Sequence, residues 1–99
     1  HWGVPMSLLT IHPFHQVAVI EMGMNHPGEI RELVKIAEPD TVAVTMVGRG
    51  HLEGVGSIEG VAKAKEEIYV DAPQGSTRIF NLDNMYTRQM ADRAKKGEY

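Results

Sequence analysis

Five residues in this sequence could do chemistry by their type and place: Glu21, His51, Lys65, Asn81 and Asp83. In open parallel sheets, ligands collect outside the carboxyl ends of the strands. Glu21 directly follows the apolar run Val17-Ala18-Val19-Ile20, and His51 lies in a Gly-rich loop after a second β-branched run. Asn81 and Asp83 follow a third. A shared sheet edge would gather them where a ligand binds. Each also has a plain reading: a solvated strand end, a surface histidine and a helix cap. Lys65 is a different kind of signal. At 100° per residue, Ile58, Val61, Ala62, Ile68 and Tyr69 share one helix face, with Lys65 in its middle and Glu59, Lys63, Glu66 and Glu67 pointing away. A lysine in an apolar stripe either snorkels or serves a purpose. An amine held in such a stripe is more readily neutral than one in water. Lys65 is therefore a candidate for catalysis or chemical modification.

Several chemistries find no support. No Gly-x-x-x-x-Gly-Lys-Ser/Thr phosphate loop is present, and the glycines around His51 do not fit Gly-x-Gly-x-x-Gly because Glu53 occupies the third glycine's place. His12 and His15 have metal-like spacing but no third ligand nearby, and Ser57 has no adjacent base for a hydrolase triad. With zero Cys, disulfides, thiolate zinc sites and Cys nucleophiles are excluded.

The elements that would position the five residues follow from periodicity. Val17–Ile20 is a short continuous apolar run, which suits a strand buried on both faces. Ile30, Leu33, Val34 and Ala37 recur at i, i+3, i+4, i+7, one face of a helix whose first turn holds Pro27 and which Glu38-Pro39-Asp40 stops. Thr41 to Val47 reads as a second buried strand. Ser57 is a plausible N-cap for a helix over 58–70. Arg78 to Asn81 reads as a weaker third strand, and Asp83 to Lys96 as a last helix with basic residues near its end. The order β-α-β-α-β-α predicts an α/β fold with a mainly parallel sheet and flanking helices. No confident opening strand comes from the first sixteen residues, so the chain reads as an incomplete part of a larger fold.

The 99 residues amount to one small domain. Ten Lys+Arg against thirteen Asp+Glu give a net charge of −3, which argues against a nucleic-acid or anionic-membrane surface. No apolar run approaches the roughly 20 residues that span a bilayer, and no signal peptide is visible. A cytoplasmic soluble domain is the expectation.

Two segments carry a resemblance. Val-Ile-Glu-Met-Gly-Met-Asn-His-Pro-Gly-Glu-Ile (19–30) and His-Leu-Glu-Gly-Val-Gly-Ser-Ile-Glu-Gly-Val-Ala-Lys-Ala-Lys-Glu-Glu-Ile (51–68) closely resemble the P-loop-type central domain of the Mur ligases. The Gly-x-Asn-x-x-Gly-Glu-Ile form, where sister ligases have Ser-Ser after the glutamate, looks most like the branch that adds D-alanyl-D-alanine (D-Ala-D-Ala) to UDP-N-acetylmuramoyl-tripeptide. The resemblance runs from Gly3-Val4-Pro5 to Asn81-Leu82-Asp83-Asn84.

It implies a three-domain cytoplasmic enzyme of peptidoglycan precursor synthesis. Such an enzyme activates the tripeptide carboxylate with ATP as an acyl phosphate, with Mg2+ as cofactor. By resemblance, Glu21 and His51 match the magnesium-binding residues, although a His ligand is unusual for so hard a cation. Lys65 matches a lysine that many members carry as a carbamate. Asn81 and Asp83 match an Asn-x-Asp segment near the nucleotide.

This sequence also departs from the family. Thr45-Met46 stands where Thr-Asn is common, and Arg49 where a small or uncharged residue is usual. The phosphate loop and both flanking domains are absent from these 99 residues, so the isolated chain is expected to be inactive. Three alternatives stay open: a Mur-type ligase with another amine donor, a polyglutamate-type ligase, or a non-catalytic metal- or nucleotide-binding α/β module. A Gly-x-x-Gly-Lys-Thr segment upstream of His1 would favour the enzymes over the module.

Overall fold

A computed structural model of the chain describes residues 18–20, 22, 27–48 and 57–99. These form helix α1 (Glu29–Ala37), strand β1 (Thr41–Val44), helix α2 (Ile58–Asp71), strand β2 (Thr77–Phe80) and helix α3 (Met85–Lys95). β1 and β2 pair in parallel, with Thr41 opposite Thr77 and Val44 opposite Phe80. The crossover between them contains α2, the connection a parallel pair requires.

Burial follows the periodicities. On β1, Val42 and Val44 are buried while Thr41 and Ala43 are exposed. The core gathers on the valine face: Ile30 and Val34 from α1, Val61, Ala62, Ala64 and Tyr69 from α2, Met90 from α3, and Val47 and Ala72 from the connections. β1 was expected to be buried on both faces and to reach Val47. It alternates instead and ends at Val44, because among the described residues the helices cover one face only.

The expected strand over 17–20 is not found: residues 18–20 belong to no strand, and Val19 is 93% exposed; Val17 lies outside the described residues. β-branched composition favours a pleated, half-buried surface, but a strand exists only by pairing, and no described strand pairs with this segment.

Helix ends explain the remaining boundaries. Ser57 caps α2 as expected, its Oγ accepting from the Gly60 N–H at 3.0 Å. Asn84, not a residue before Asp83, caps α3, so that helix starts at Met85. α1 has Gly28 as its N-cap, whose φ of 91° suits glycine and which has no side chain to cap with. A remote carboxylate supplies the cap: Glu67 accepts from the Gly28 N–H at 2.9 Å and the Arg31 N–H at 3.1 Å. Negative charge at a helix N-terminus is stabilising.

Glu66 and Glu67 were expected to point into solvent, yet both are engaged across the fold. Glu66 holds Arg93 of α3 through two bonds of 2.6 and 2.9 Å, and Tyr99 Oη lies 2.8 Å from the same carboxylate. The other end of α2 is closed by Arg78 of β2, whose guanidinium donates to the carbonyls of Tyr69, Ala72 and Ser76 at 2.8, 3.2 and 3.2 Å. A cation there complements the helix dipole.

Candidate functional site

Among the described residues, the segment leaving β1 has no strand partner beyond Val44, and its backbone acceptors meet other donors. Three side chains provide them in succession. Asn81 Nδ2 donates to the Thr45 carbonyl at 2.7 Å. Lys65 Nζ donates to the Met46 carbonyl at 3.2 Å. Asn84 Nδ2 donates to the Val47 carbonyl at 3.2 Å. The donors come from α2 and from the turn between β2 and α3, so this cluster ties the carboxyl end of β1 to both.

Lys65 is half-buried, in keeping with its place beside the buried Val61, Ala62, Ala64 and Tyr69. Its amine reaches the strand exit. Snorkelling and positioning thus coincide, because the end of the stem meets a backbone carbonyl rather than open water.

Both polar ends of Asn81 are used, since its Oδ1 also accepts from the Asp83 N–H at 2.9 Å. Asn84 is divided in the same way: Oδ1 accepts from the N–H groups of Tyr86 and Thr87 at 3.1 and 3.2 Å while Nδ2 faces β1. These partners fix the amide orientation, because two donors meet one end and a carbonyl the other. Thr87, fully buried, hydrogen-bonds the Asn81 carbonyl through its hydroxyl and lies 3.2 Å from the Asn84 carbonyl. The Asp83 residue is exposed.

Below this edge, Tyr69 bridges the two strands. Its ring is fully buried against Phe80, with centroids 4.4 Å apart. Its hydroxyl accepts from the Val44 N–H at 2.7 Å and donates to the Ile79 carbonyl at 2.6 Å. Burial pushes the phenol above its usual range, and the Val44 hydrogen bond partly opposes this.

Of the five residues singled out by sequence, the structure brings Lys65 and Asn81 to neighbouring carbonyls, and Asp83 joins them through its backbone N–H to Asn81; Glu21 and His51 lie outside the described residues. Among the described residues, no three His, Cys, Asp or Glu side chains are grouped to hold a metal. Sequence reasoning did not single out Asn84 or Tyr69's hydroxyl. The helix expected over 83–96 placed Asn84 inside its first turn, where nothing signalled a donor to β1.

The Mur ligase middle domain family matches residues 1–99. The chain belongs to the Mur ligase family. Its relatives in that family include the UDP-N-acetylmuramoyl-tripeptide--D-alanyl-D-alanine ligase of Escherichia coli (strain K12), 48% identical over 82 residues that cover 83% of this chain and 18% of that protein. The same ligase of Bacillus subtilis (strain 168) is 43% identical over 94 residues, covering 90% and 21%. Among solved structures, MurF from Acinetobacter baumannii superimposes with a TM-score of 0.85 at 35% identity, over 94% of this chain and 20% of that one. The α/β fold with parallel strands and flanking helices is thus the fold of a Mur ligase middle domain. The chain spans about a fifth of the length of these relatives. No described helix is long and apolar enough to cross a membrane.

Proposed function

We propose that this chain is the central-domain portion of a cytoplasmic, ATP-dependent ligase that joins D-Ala-D-Ala to UDP-N-acetylmuramoyl-tripeptide in peptidoglycan precursor synthesis. The observation that carries this reading is the 48% identity to a ligase of that name across most of the chain. In the reaction, a carboxylate oxygen of the tripeptide attacks the γ-phosphorus of ATP, the bond to the β-phosphate oxygen breaks, and ADP leaves. The amine of D-Ala-D-Ala then adds to the acyl phosphate carbon. The tetrahedral intermediate expels phosphate and the nitrogen loses a proton.

Glu21 and His51 would hold magnesium, which would supply neutralisation of phosphate charge. Lys65 would act as a carbamate, formed when its neutral amine adds carbon dioxide and releases a proton; the resulting anion can orient the metal and the phosphate. Its place at the carboxyl edge of β1, beside Asn81 and Asp83, supports that role. Asn81 and Asp83 would face the nucleotide side of this edge. The 99 residues alone would not turn over.

The test is phosphate release by the full-length protein with ATP, magnesium and UDP-N-acetylmuramoyl-tripeptide, with and without D-Ala-D-Ala. Release that depends on the dipeptide is expected. Release only with another amine would make the protein a sister ligase, and silence with every donor would leave a binding module.

A further inference from the structure

The geometry points to Asn84 as a positioning residue for ligation, acting through the backbone that leaves β1. This rests on the ligase reading above. Asn84 performs two separable tasks with the two ends of one amide. Oδ1 caps α3 by accepting from Tyr86 and Thr87, and Nδ2 holds the Val47 carbonyl. Any good capping residue can do the first task. Only a side chain with a donor at the end of the same reach can do the second.

The second task has a consequence for the site. Val47 is buried, 3% exposed, but lies outside β1, and among the described residues no ladder fixes its peptide. Its carbonyl is oriented by Asn84, next to the carbonyls held by Lys65 and Asn81. Four residues further along the sequence is His51. Asn84 therefore fixes the backbone at Val47, close to where the segment leaving β1 ends its described course, and does so from the N-terminus of a helix that α2 anchors through Arg93 and Glu66. A misdirected exit costs rate rather than affinity, because small misplacements act on the geometry of the reacting groups.

Substitution separates the tasks. Asn84→Ser keeps a capping oxygen and loses the reach to Val47. Asn84→Asp keeps the cap and sets a carboxylate oxygen against the Val47 carbonyl. In the full-length protein, Asn84→Ser is expected to lower kcat for D-Ala-D-Ala-dependent phosphate release at least tenfold, with KM for ATP and for the dipeptide moving less than threefold. Asn84→Asp should lower kcat further. Both should melt within a few degrees of wild type and show faster amide exchange over residues 45–48. Gln89→Ala, at an exposed position on the same helix, should leave kcat unchanged.

An unchanged kcat in Asn84→Ser, unaltered exchange over 45–48, or a large loss of melting temperature would overturn the proposal; the last would assign Asn84 to the cap alone. Wild-type protein that releases no phosphate with any donor would refute the ligase reading instead. Faster exchange over 45–48 in the Asn84→Ser protein would still report the tether itself.

Discussion

Replacing Tyr69 by Phe removes one oxygen from the centre of the fold and leaves the ring. The ring's packing survives, including its stack on Phe80 at 4.4 Å and the longer contact with Tyr99 at 6.0 Å. What is lost is the hydroxyl between the strands, 2.7 Å from the Val44 nitrogen and 2.6 Å from the Ile79 carbonyl. A typical net contribution is about 1 kcal/mol per hydrogen bond, and a buried donor left alone costs about 1–3 kcal/mol. The Val44 N–H is such a donor, whereas the Ile79 carbonyl lies toward a more exposed strand and regains water more readily. The sum is about 2–4 kcal/mol, which corresponds to roughly 30- to 700-fold in an opening equilibrium at 1.4 kcal/mol per decade. Amide hydrogen exchange of the full-length protein, read on peptides spanning 41–48, measures that opening. The Tyr69→Phe protein should exchange there faster by this factor, with little change at α1. An increase below threefold would refute the bridging role.

Met90 has no exposed surface, so Met90→Ala should destabilise the unfolding transition that includes this domain by about 2–5 kcal/mol, measured by denaturant titration. Tyr69 and Tyr99 are both held above the usual phenol range, first by burial and, for Tyr99, next by its bond to Glu66. Their folded-state values exceed the unfolded one, so their stabilisation is complete below pH ~10 and is lost as pH rises beyond it. Unfolding free energies measured from pH 8 to 11 should fall at the alkaline end, and less steeply in Tyr99→Phe; equal slopes would remove Tyr99 from the account. Lys65→Ala should abolish ligation by the full-length protein, and excess bicarbonate should not restore it. Full activity in that variant would end the assignment of Lys65.

Patterns that are local in sequence were legible. Ser57 announced α2, the spacing of Ile30, Leu33 and Val34 announced α1, and the β-branched run after Asp40 announced β1. Lys65 was legible as an intruder on an apolar face, and the structure gives it a partner at Met46. What escaped was everything whose partner is distant. Glu66 and Glu67 resemble solvated residues on a helical wheel, but Arg93 lies 27 residues from the first and Gly28 lies 39 from the second. Asn81 and Asn84 resemble turn and cap residues because that half of their bonding is local; the carbonyls of Thr45 and Val47 lie across the parallel crossover. The run 17–20 failed in the opposite direction, since its composition described a strand but could not supply the pairing.

The central claim is that the carboxyl edge of β1, with Lys65 and the turn after β2, is where ATP is used. The direct measurement is a crystal structure of the full-length protein with magnesium and a non-hydrolysable ATP analogue. The expected result is the γ-phosphate at this edge, with Glu21 and His51 on the metal and Lys65 facing the same phosphate. A nucleotide bound with its phosphates away from Lys65, or a metal that touches neither Glu21 nor His51, would contradict it.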